Sequence, residues 1–562
     1  MTRAYLMSRE GIAGIFSEQI DALFGKWDRD ASPGAIVAVY HDGEIIHQRG
    51  YGVANIEDDV PFTADTVLRL GSTTKHLCAT CILLLENQGK LSLDDDIRQF
   101  VPEMPDYGVA ITLRHLLTMT SGLWDGINIQ LFAGLDVSTP TTRNQFLRLY
   151  PSQDKLMFRP GDDCTYSNTN YSLLTLVIER ISGLSIAEFM AAELFRPLGM
   201  DHSSLTPYMT KITVNKARGY VPAANGGFEA AYMMIEMDGA GGVDSTINDM
   251  LKWFANYRDD QHFGPDYRQR MEAVSRLNDG LLLDYRLGIN VADYRGMEVV
   301  RHAGGMPGYL CDFVFYPQAD LGIVLFTNLL DPVLLQLPDR IADIVLENEF
   351  DRPLESTFLD TDREDVAVLA GVYASEQEGL VLELADLDGK LVCYLLGDIN
   401  PLHEQDGWLE SGKNLVSVRA QDSTGAHNPG VELRLGCQAP YLLAAVTDPR
   451  TAPVSPPADF ESFTGRYCHE GFEEVHQVSL YGGKLRVDIP SPLRDLVWGE
   501  LTPVVGDLFV ALIESEPSCT NVTVKFLRDE EGSVTALSYS INRCRDLVFT
   551  RLIAGQKTHE PG

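Results

Sequence analysis

The chain has 562 residues, of which 45% are hydrophobic and 22% are charged, and this length predicts two to four domains. Its 80 Asp and Glu residues outnumber its 45 Lys and Arg residues and give a formal net charge of −35. That balance argues against nucleic acid and against an anionic membrane surface as partners.

The first ten residues lack the apolar core of a signal peptide, and no run approaches the roughly 18 apolar residues of a membrane span. Nine cysteines, an odd number without a framework-like spacing, indicate reduced thiols. We therefore expect a cytoplasmic protein. Cys78 and Cys81 lie in an apolar segment without a second pair at metal spacing, and His469 lacks the second His of a zincin helix. Neither a metal nor an organic cofactor is expected.

Patterns of helix and strand alternate through the first 350 residues. An amphipathic helix is predicted over residues 14–28, followed by two strands around Asp42 and Gly43, a strong hairpin signal. Periodic apolar residues predict further helices at residues 111–123, 171–182, 185–194, 246–257 and 334–347, and strands at residues 297–301, 312–316 and 322–328. Strands at both ends with helices between them predict an α/β domain built on a central antiparallel sheet, residues 1–350.

From about residue 351 the pattern changes to short alternating strands. Leu-Ala-Gly-Val-Tyr at residues 369–373 is echoed by Phe-Thr-Gly-Arg-Tyr at residues 463–467, and a Pro-rich segment separates the two regions. Two small antiparallel β-barrel domains related by duplication are therefore predicted, at residues 362–450 and 459–562.

Ser72 and Lys75 stand at the start of a long apolar segment without Gly or Pro. On a helix, residues three apart share a face, with Cβ atoms about 5–6 Å apart. A serine beside an ammonium at a helix N-terminus, where backbone N–H groups favour negative charge, is a suitable nucleophile. A second Ser-x-x-Lys, Ser152 to Lys155, is soon followed by Pro160 rather than by an apolar helix. Ser72 is therefore the candidate nucleophile.

Two further elements could complete the site. Tyr166 is the only tyrosine of the chain followed by Asn two residues later. A tyrosine near cations loses its proton more easily and can act as a general base, and Asn168 could fix the lysine or hold a substrate carbonyl. Taken alone, this triplet is also typical of a turn. His302 ends a predicted strand before small residues that leave room for a substrate backbone, although an ordinary strand end has the same pattern.

In the order Ser-x-x-Lys, Tyr-x-Asn, His-x-Gly, these elements resemble the penicillin-recognising serine hydrolases, which include class C β-lactamases, DD-peptidases, esterases and aminopeptidases. Residues 116–123 and 238–243 are similar to that family as well, and the resemblance covers about residues 14–345. It implies a β-lactamase/transpeptidase-like catalytic domain. Most β-lactamases of the family carry Lys-Thr-Gly where this chain has His302-Ala303-Gly304, and His is common there in esterases and aminopeptidases. The departure weakens a β-lactamase interpretation.

The resemblance implies an acyl-enzyme mechanism. Ser72 would attack the scissile carbonyl while Tyr166 takes its proton beside Lys75, and the backbone N–H groups of Ser72 and Gly305 would hold the oxyanion. The sequence leaves open whether Lys75 or Tyr166 is the general base. The other residues that the resemblance places at the substrate are Asn168, His302 and Gly304.

Two β domains behind such a catalytic domain are similar to the bacterial D-stereospecific aminopeptidases, in which a loop of the last domain meets the free amine of the substrate. The resemblance implies a homodimer and a carboxylate on that loop, for which Glu514 and Glu516 are the candidates. The expected activity is release of N-terminal D-amino acids from small peptides or amides. The alternatives are cleavage of linear peptides with D- or unusual residues, such as opened cyclic peptides, an esterase or β-lactamase on the same site, and a non-catalytic peptide sensor.

Overall fold

The computed structural model describes the chain apart from residues 1–8, 136–139, 150–152, 154, 208–210, 224–225, 261, 352–368, 388–389, 396–397, 406–407, 412–415, 422–429, 436–440, 449–459, 473, 491–496, 516–517, 542 and 554–562. Within the described residues, no helix has both the length and the apolar character that crossing a membrane requires.

The N-terminal region, residues 9–351, combines helices with short and long strands. Its described helices, α1 to α11, are Arg9–Leu23, Thr74–Asn87, Leu113–Leu117, Gly126–Ile129, Arg143–Leu149, Asn168–Ser182, Ile186–Met190, Arg196–Leu198, Ile247–Asp259, Tyr267–Met271 and Leu337–Val345. Its described strands, β1 to β15, are Ala35–His41, Glu44–Tyr51, Val53–Asn55, Val60–Pro61, Leu68–Arg69, Ser204–Leu205, Tyr220–Pro222, Phe228–Ala230, Val243–Ser245, Ser275–Arg276, Leu282–Leu283, Asn290–Tyr294, Met297–Met306, Tyr309–Tyr316 and Leu321–Thr327.

Six of these strands form the central sheet, in the order β12-β13-β14-β15-β1-β2, and each neighbouring pair is antiparallel. β1 pairs with β15 so that Ala35 lies opposite Thr327, which joins the first hairpin of the chain to strands far along the sequence. Every residue of β14 and β15 is buried because helices cover both faces of the sheet. α1 and α11 pack on one face, and α2 and α9 pack on the other. The predicted α/β domain with a central antiparallel sheet is confirmed.

Two elements near the candidate active site, α3 and β13, differ in length from the predicted helix and strand. The helix expected over residues 111–123 is only α3, because Met119 takes a φ of 62°, a left-handed conformation that an α-helix cannot contain. The strand expected over residues 297–301 continues as β13 to Met306. His302 therefore lies within a strand and not at its end.

Beyond residue 369 the described chain forms two closed barrels of eight antiparallel strands each. The strands of the first barrel, β16 to β23, are Gly371–Ser375, Leu380–Leu387, Lys390–Leu395, Asp398–Gln405, Trp408–Ser411, Val416–Ala420, Val431–Leu435 and Tyr441–Val446. The strands of the second barrel, β24 to β31, are Gly465–Cys468, His476–Tyr481, Lys484–Ile489, Val497–Val505, Leu508–Ser515, Ser518–Arg528, Val534–Ile541 and Cys544–Arg551. The two predicted antiparallel β-barrels are confirmed.

Both barrels open with the same local arrangement. The hydroxyl of Tyr373 donates a hydrogen bond to the carbonyl oxygen of Leu369 at 2.8 Å, and the hydroxyl of Tyr467 donates to that of Phe463 at 2.7 Å. Both tyrosines are fully buried. The similar sequences at residues 369–373 and 463–467 thus correspond to a tyrosine whose hydroxyl bonds to the turn before the first strand of each barrel.

The second barrel contacts the N-terminal region through the segment that follows α3. Phe132 stacks on Tyr539 with ring centroids 4.7 Å apart, and its carbonyl oxygen accepts a hydrogen bond from Nε2–H of His476 at 2.8 Å. The Tyr539 hydroxyl donates to Nδ1 of the same histidine at 2.9 Å. Burial lowers the pKa of His476 to about 4. Ile129 and Leu131 join the barrel core as well, so apolar packing forms a large part of the contact between the two parts.

The predicted domain boundaries, at residues 350–362 and 450–459, fall mostly on residues outside the described part of the chain. The boundaries themselves stay predictions.

Candidate active site

Ser72 lies in a 3-10 turn, Gly71–Thr73, that runs directly into α2. It therefore stands at the amino end of a helical run, where unpaired N–H groups favour negative charge. The turn is held against β13, since Thr73 Oγ1 donates a hydrogen bond to the carbonyl oxygen of His302 at 2.9 Å. Gly71 takes a φ of +54°, and a Cβ at this position would lie 2.9 Å from the nitrogen of Gly305. Ser72 is thus placed beside the strand that carries the His-x-Gly element.

The ammonium of Lys75 is fully buried and donates three hydrogen bonds. Its acceptors are Ser72 Oγ at 3.3 Å, Asn168 Oδ1 at 2.8 Å and the carbonyl oxygen of Ala240 at 2.7 Å. In the described part of the chain no carboxylate pairs with this ammonium, so its charge can stabilise negative charge on the groups next to it.

A buried carboxylate, Asp125, fixes Asn168 in this arrangement. The backbone N–H and the side-chain amide of Asn168 both donate to Asp125 Oδ2, at 2.9 and 2.8 Å. Asp125 Oδ1 accepts the N–H of Ile127 and so caps the short helix α4. With its amide held by Asp125, Asn168 turns its carbonyl oxygen toward Lys75.

Tyr166 lies next to Lys75, with the ammonium 4.7 Å from the centroid of its ring. Its hydroxyl is buried and has no hydrogen-bond partner among the described residues. The guanidinium of Arg543, from the turn between β30 and β31, lies 4.6 Å from the same ring centroid. The ring of Tyr285 meets that of Tyr166 edge to face, at 6.2 Å. The phenol ring is therefore flanked by two cations and an aromatic ring.

His302 is buried, and both of its ring nitrogens have partners. Nδ1 donates to the carbonyl oxygen of Ala303 at 2.7 Å, and Nε2 lies 3.2 Å from the hydroxyl of Tyr285. Burial holds the pKa of Tyr285 well above its ordinary value, so this hydroxyl keeps its proton.

The small residues after His302 have two different uses. A Cβ on Gly304 would lie 1.9 Å from the carbonyl oxygen of Leu70, so glycine is needed here because β13 passes directly against the turn that bears Ser72. Gly305 is exposed and pairs with Leu310, next to the pair Met306 and Tyr309 that closes the hairpin. In a two-residue hairpin the closing pair is mutually hydrogen-bonded, so the next pair directs its N–H groups away from the partner strand. The N–H of Gly305 therefore points out of the sheet edge, toward Ser72.

Residues 20–346 match the family model described as Beta-lactamase, which is more than half of the chain. The chain belongs to the β-lactamase family. As a member of this family it is a serine hydrolase with a β-lactamase-like catalytic domain. The penicillin-recognising resemblance of its sequence motifs is thereby confirmed.

Comparison with individual proteins extends the likeness into the barrels. The D-aminopeptidase of Gluconobacter oxydans (strain 621H) is 26% identical over 534 residues, which cover 93% of this chain and 97% of that protein. The D-aminopeptidase of Brucella anthropi is 29% identical over 291 residues, which cover 50% of this chain and 53% of that protein. In fold, the chain is similar to the octameric penicillin-binding protein homologue from Pyrococcus abyssi, with a TM-score of 0.53 at 18% identity over 92% of this chain and 100% of that one.

The structure describes only the backbone of Glu514 and does not describe Glu516, the two acidic residues expected on a loop of the second barrel. The backbone of Glu514 pairs with Cys519 near the tip of the β28–β29 hairpin. The β28–β29 hairpin and the turn that carries Arg543 are at the same end of the barrel. The reason is that β28 and β30 run in the same direction and each is followed by an antiparallel strand. A role for Glu514 or Glu516 at the substrate amine stays a prediction.

Other residues of the site were not foreseen from the sequence. Asp125 is followed by Gly126, an ordinary helix-capping signal that gave no hint of its bond to Asn168. Tyr285 and Arg543 carry no local signal, because they reach Tyr166 through strand packing and through docking of a barrel. The geometry of the second Ser-x-x-Lys cannot be compared with that of Ser72 and Lys75, since Ser152 and Asp154 lie outside the described residues.

Proposed function

We propose that this β-lactamase-family protein is a D-aminopeptidase, which releases N-terminal D-amino acids from small peptides and amides through an acyl-enzyme on Ser72. The observation that supports this substrate class best is the similarity to a D-aminopeptidase along 93% of the chain, a span that includes both barrels. The hydrogen bond between Lys75 Nζ and Ser72 Oγ, at 3.3 Å, supports the assignment of Ser72 as the nucleophile.

In the proposed reaction, Tyr166 starts as the phenolate, which the Lys75 ammonium stabilises, and Ser72 Oγ forms a bond to the scissile carbonyl carbon while its proton passes to the Tyr166 oxygen. Tyr166 is suited to this role because its oxygen is buried and unbonded in the described part of the chain, whereas Lys75 Nζ is already bonded to Ser72, Asn168 and Ala240. The bond from carbon to nitrogen then breaks as Tyr166 gives the proton to the leaving amine and returns to the phenolate. Water attacks the acyl ester and passes a proton to Tyr166, which transfers that proton to Ser72 Oγ as the amino acid leaves.

The backbone N–H groups of Ser72 and Gly305 form the proposed oxyanion hole. Loss of one such donor typically raises the barrier by roughly 3–4 kcal/mol. Beyond Arg301, β13 has no partner on the β12 side among the described strands, so a peptide can lie along this edge. Asn168, Gly304 and the ring of His302 would line that path, and the free amine of the substrate would meet Glu514 or Glu516.

A parallel assay tests the substrate class. We expect D-alanine amide to be hydrolysed faster than L-alanine amide, N-acetyl-D-alanine amide, a short-chain nitrophenyl ester and a cephalosporin. Ser72→Ala should abolish hydrolysis, and Ser152→Ala, which removes the serine of the other Ser-x-x-Lys, should leave it unchanged. A preference for the ester or the cephalosporin contradicts the peptidase assignment, and failure of a fluorophosphonate to label Ser72 contradicts the enzyme assignment.

We also propose that the protein is a homodimer of the cytoplasm. The dimer is what the resemblance of the sequence to D-stereospecific aminopeptidases implies, and light scattering after size-exclusion chromatography tests it. The compartment is supported by cysteines such as Cys78, Cys81, Cys311 and Cys544, which are buried thiols and not disulfides. Cell fractionation tests the location.

A further inference from the structure

We propose that the second barrel completes the active site through Arg543, a positioning residue that acts on Tyr166 and on Asp125. This inference rests on the proposed serine-hydrolase chemistry but not on the D-aminopeptidase substrate class. It assigns a catalytic contribution to the turn between β30 and β31, separate from the one expected of Glu514 or Glu516.

The first observation is the placement of two cations on one phenol ring. The guanidinium carbon of Arg543 lies 4.6 Å from the centroid of the Tyr166 ring, and Lys75 Nζ lies 4.7 Å from it. A cation over an aromatic ring is attracted by the electrons of the ring face. When Tyr166 gives up its proton, the ring carries a full negative charge and the attraction to both cations grows.

The second observation is that Arg543 also contacts the carboxylate that orients Asn168. The backbone N–H of Asp125 donates to the carbonyl oxygen of Arg543 at 3.1 Å, and Arg543 Nη1 lies 3.8 Å from Asp125 Oδ2. The same Oδ2 accepts both donors of Asn168, whose own oxygen accepts a proton of Lys75. A continuous series of polar contacts thus leads from the second barrel to Ser72.

The barrel that carries Arg543 is held against the N-terminal region by a separate contact. Phe132 of the N-terminal region is buried against Tyr539 and His476. Because this contact docks the barrel, the position of Arg543 does not depend on its own contact with Tyr166. Arg545, the second residue of β31, lies 3.6 Å from Asp163, three residues before Tyr166.

These contacts predict an effect on the chemical step. Arg543 contacts the proposed proton acceptor and not the path of the substrate, so its loss should lower kcat and leave KM nearly unchanged. Although the Arg543 side chain is about one third exposed, its attraction to a negatively charged ring is strong enough to change a rate by about tenfold. Arg545 offers a matched control, since it is an arginine only two residues further along the chain, in β31, that pairs with Asp163 instead of contacting Tyr166.

The experiment compares Arg543→Met, Arg543→Lys, Arg543→Ala and Arg545→Met with the full-length wild-type chain. One readout is the rate at which a fluorophosphonate labels Ser72, which needs no knowledge of the substrate, and the others are kcat and KM for D-alanine amide and the melting temperature. We expect about tenfold slower labelling for Arg543→Met and a smaller loss for Arg543→Lys. Arg545→Met should label at the wild-type rate. Millimolar guanidinium, below denaturing concentrations, should restore part of the rate of Arg543→Ala.

The possible results separate the two proposals. If the wild type is not labelled at Ser72, the serine-hydrolase assignment fails. If the wild type is labelled but prefers another substrate, the D-aminopeptidase assignment fails and the role of Arg543 is still measured by labelling. The inference on Arg543 is overturned if Arg543→Met is labelled at the wild-type rate. It is also overturned if both methionine variants slow labelling equally, melt at lower temperature and show no rescue by guanidinium, because Arg543 is then only an interface contact.

Discussion

The hydroxyl of Tyr285 lies 3.2 Å from Nε2 of His302, while Nδ1 of the same ring donates to the carbonyl oxygen of Ala303 at 2.7 Å. The two bonds hold the imidazole in one orientation. The β-lactamase-like site thus presents an imidazole ring at the place of the lysine of Lys-Thr-Gly.

Replacement of Tyr285 by Phe should lower kcat/KM about fivefold, since a neutral hydrogen bond contributes about 1 kcal/mol and the ring of His302 loses its second anchor. Steady-state kinetics on D-alanine amide measure the effect. Tyr294→Phe is the control, because the hydroxyl of Tyr294 bonds to Asp343, away from Ser72. Equal losses in the two variants would show that the bond to His302 has no special role.

Replacement of Asn168 by Ala should lower kcat about 10- to 100-fold, because a hydrogen bond to a charged group contributes about 1.5–3 kcal/mol. The change removes one of the three acceptors of the Lys75 ammonium and the side-chain donor to Asp125, while the backbone N–H of residue 168 still donates to Asp125 Oδ2. Asn248→Ala, in α9 and bonded to Gln48, should leave kcat unchanged. A normal kcat for Asn168→Ala would mean that Lys75 is held well enough by Ser72 and Ala240.

A buried ion cluster beside the nucleophile turn predicts a large loss of stability. Asp244 lies 2.7 Å from Arg69 Nε and 2.9 Å from Lys216 Nζ, and the side chains of Asp244 and Arg69 have no exposed surface. Burial lowers the pKa of Lys216, with Arg69 lowering it further and Asp244 opposing both. Asp244→Asn leaves two buried cations without their counter-charge, which should lower the melting temperature by about 10 °C. The control is Asp94→Asn in the exposed pair with Arg114, which should melt as the wild type does.

His76 predicts a loss of stability at acid pH. It is fully buried against Trp253, Tyr257 and Phe313, and neither ring nitrogen has a hydrogen-bond partner in the described part of the chain. Burial lowers its pKa to about 3, from an ordinary value of 6.5. Between these pH values the unfolded chain binds a proton that the folded chain does not. The free energy of unfolding should therefore fall as pH drops below 6.5, by up to about 1.4 kcal/mol per pH unit.

Urea unfolding of wild type and His76→Leu at pH 7 and pH 5 measures this effect. The variant should lose about 2 kcal/mol less than the wild type over that interval, whereas His262→Gln, at an exposed histidine, should lose as much as the wild type. The buried His476 is present in all three proteins and contributes equally. An identical loss in His76→Leu and wild type would mean that His76 becomes protonated without unfolding.

The parts of the site that the sequence predicts are those in which local geometry determines the contact. Ser72 and Lys75 are three residues apart on a helical run, and their bond follows from helix geometry. Asn168 is the first residue of α6, so its side chain lies at the amino end of that helix. The antiparallel sheet and the barrels follow from alternating apolar residues and turn signals, which depend only on neighbouring residues.

The remaining contacts join residues that are distant in the chain, and no local pattern encodes them. Asp125 and Arg543 are brought together only when the second barrel docks, and Tyr285 reaches His302 through the pairing of β12 with β13. The early end of α3 depends on the left-handed Met119, whose sulfur accepts from the N–H of Ser167. A methionine in that conformation is stabilised by tertiary contacts, so the periodic pattern extended the helix too far.

The segment between Trp124 and Ala133 serves both halves of the molecule at once. Its first residues hold Asn168, and its last residues lie within the apolar core of the second barrel. Recombination that exchanged this barrel for an unrelated module would leave Ile129, Leu131 and Phe132 facing water and would free the loop that carries Asp125. We therefore expect the barrel and the loop that carries Asp125 to evolve together, because a substitution in either one changes the contacts of the other.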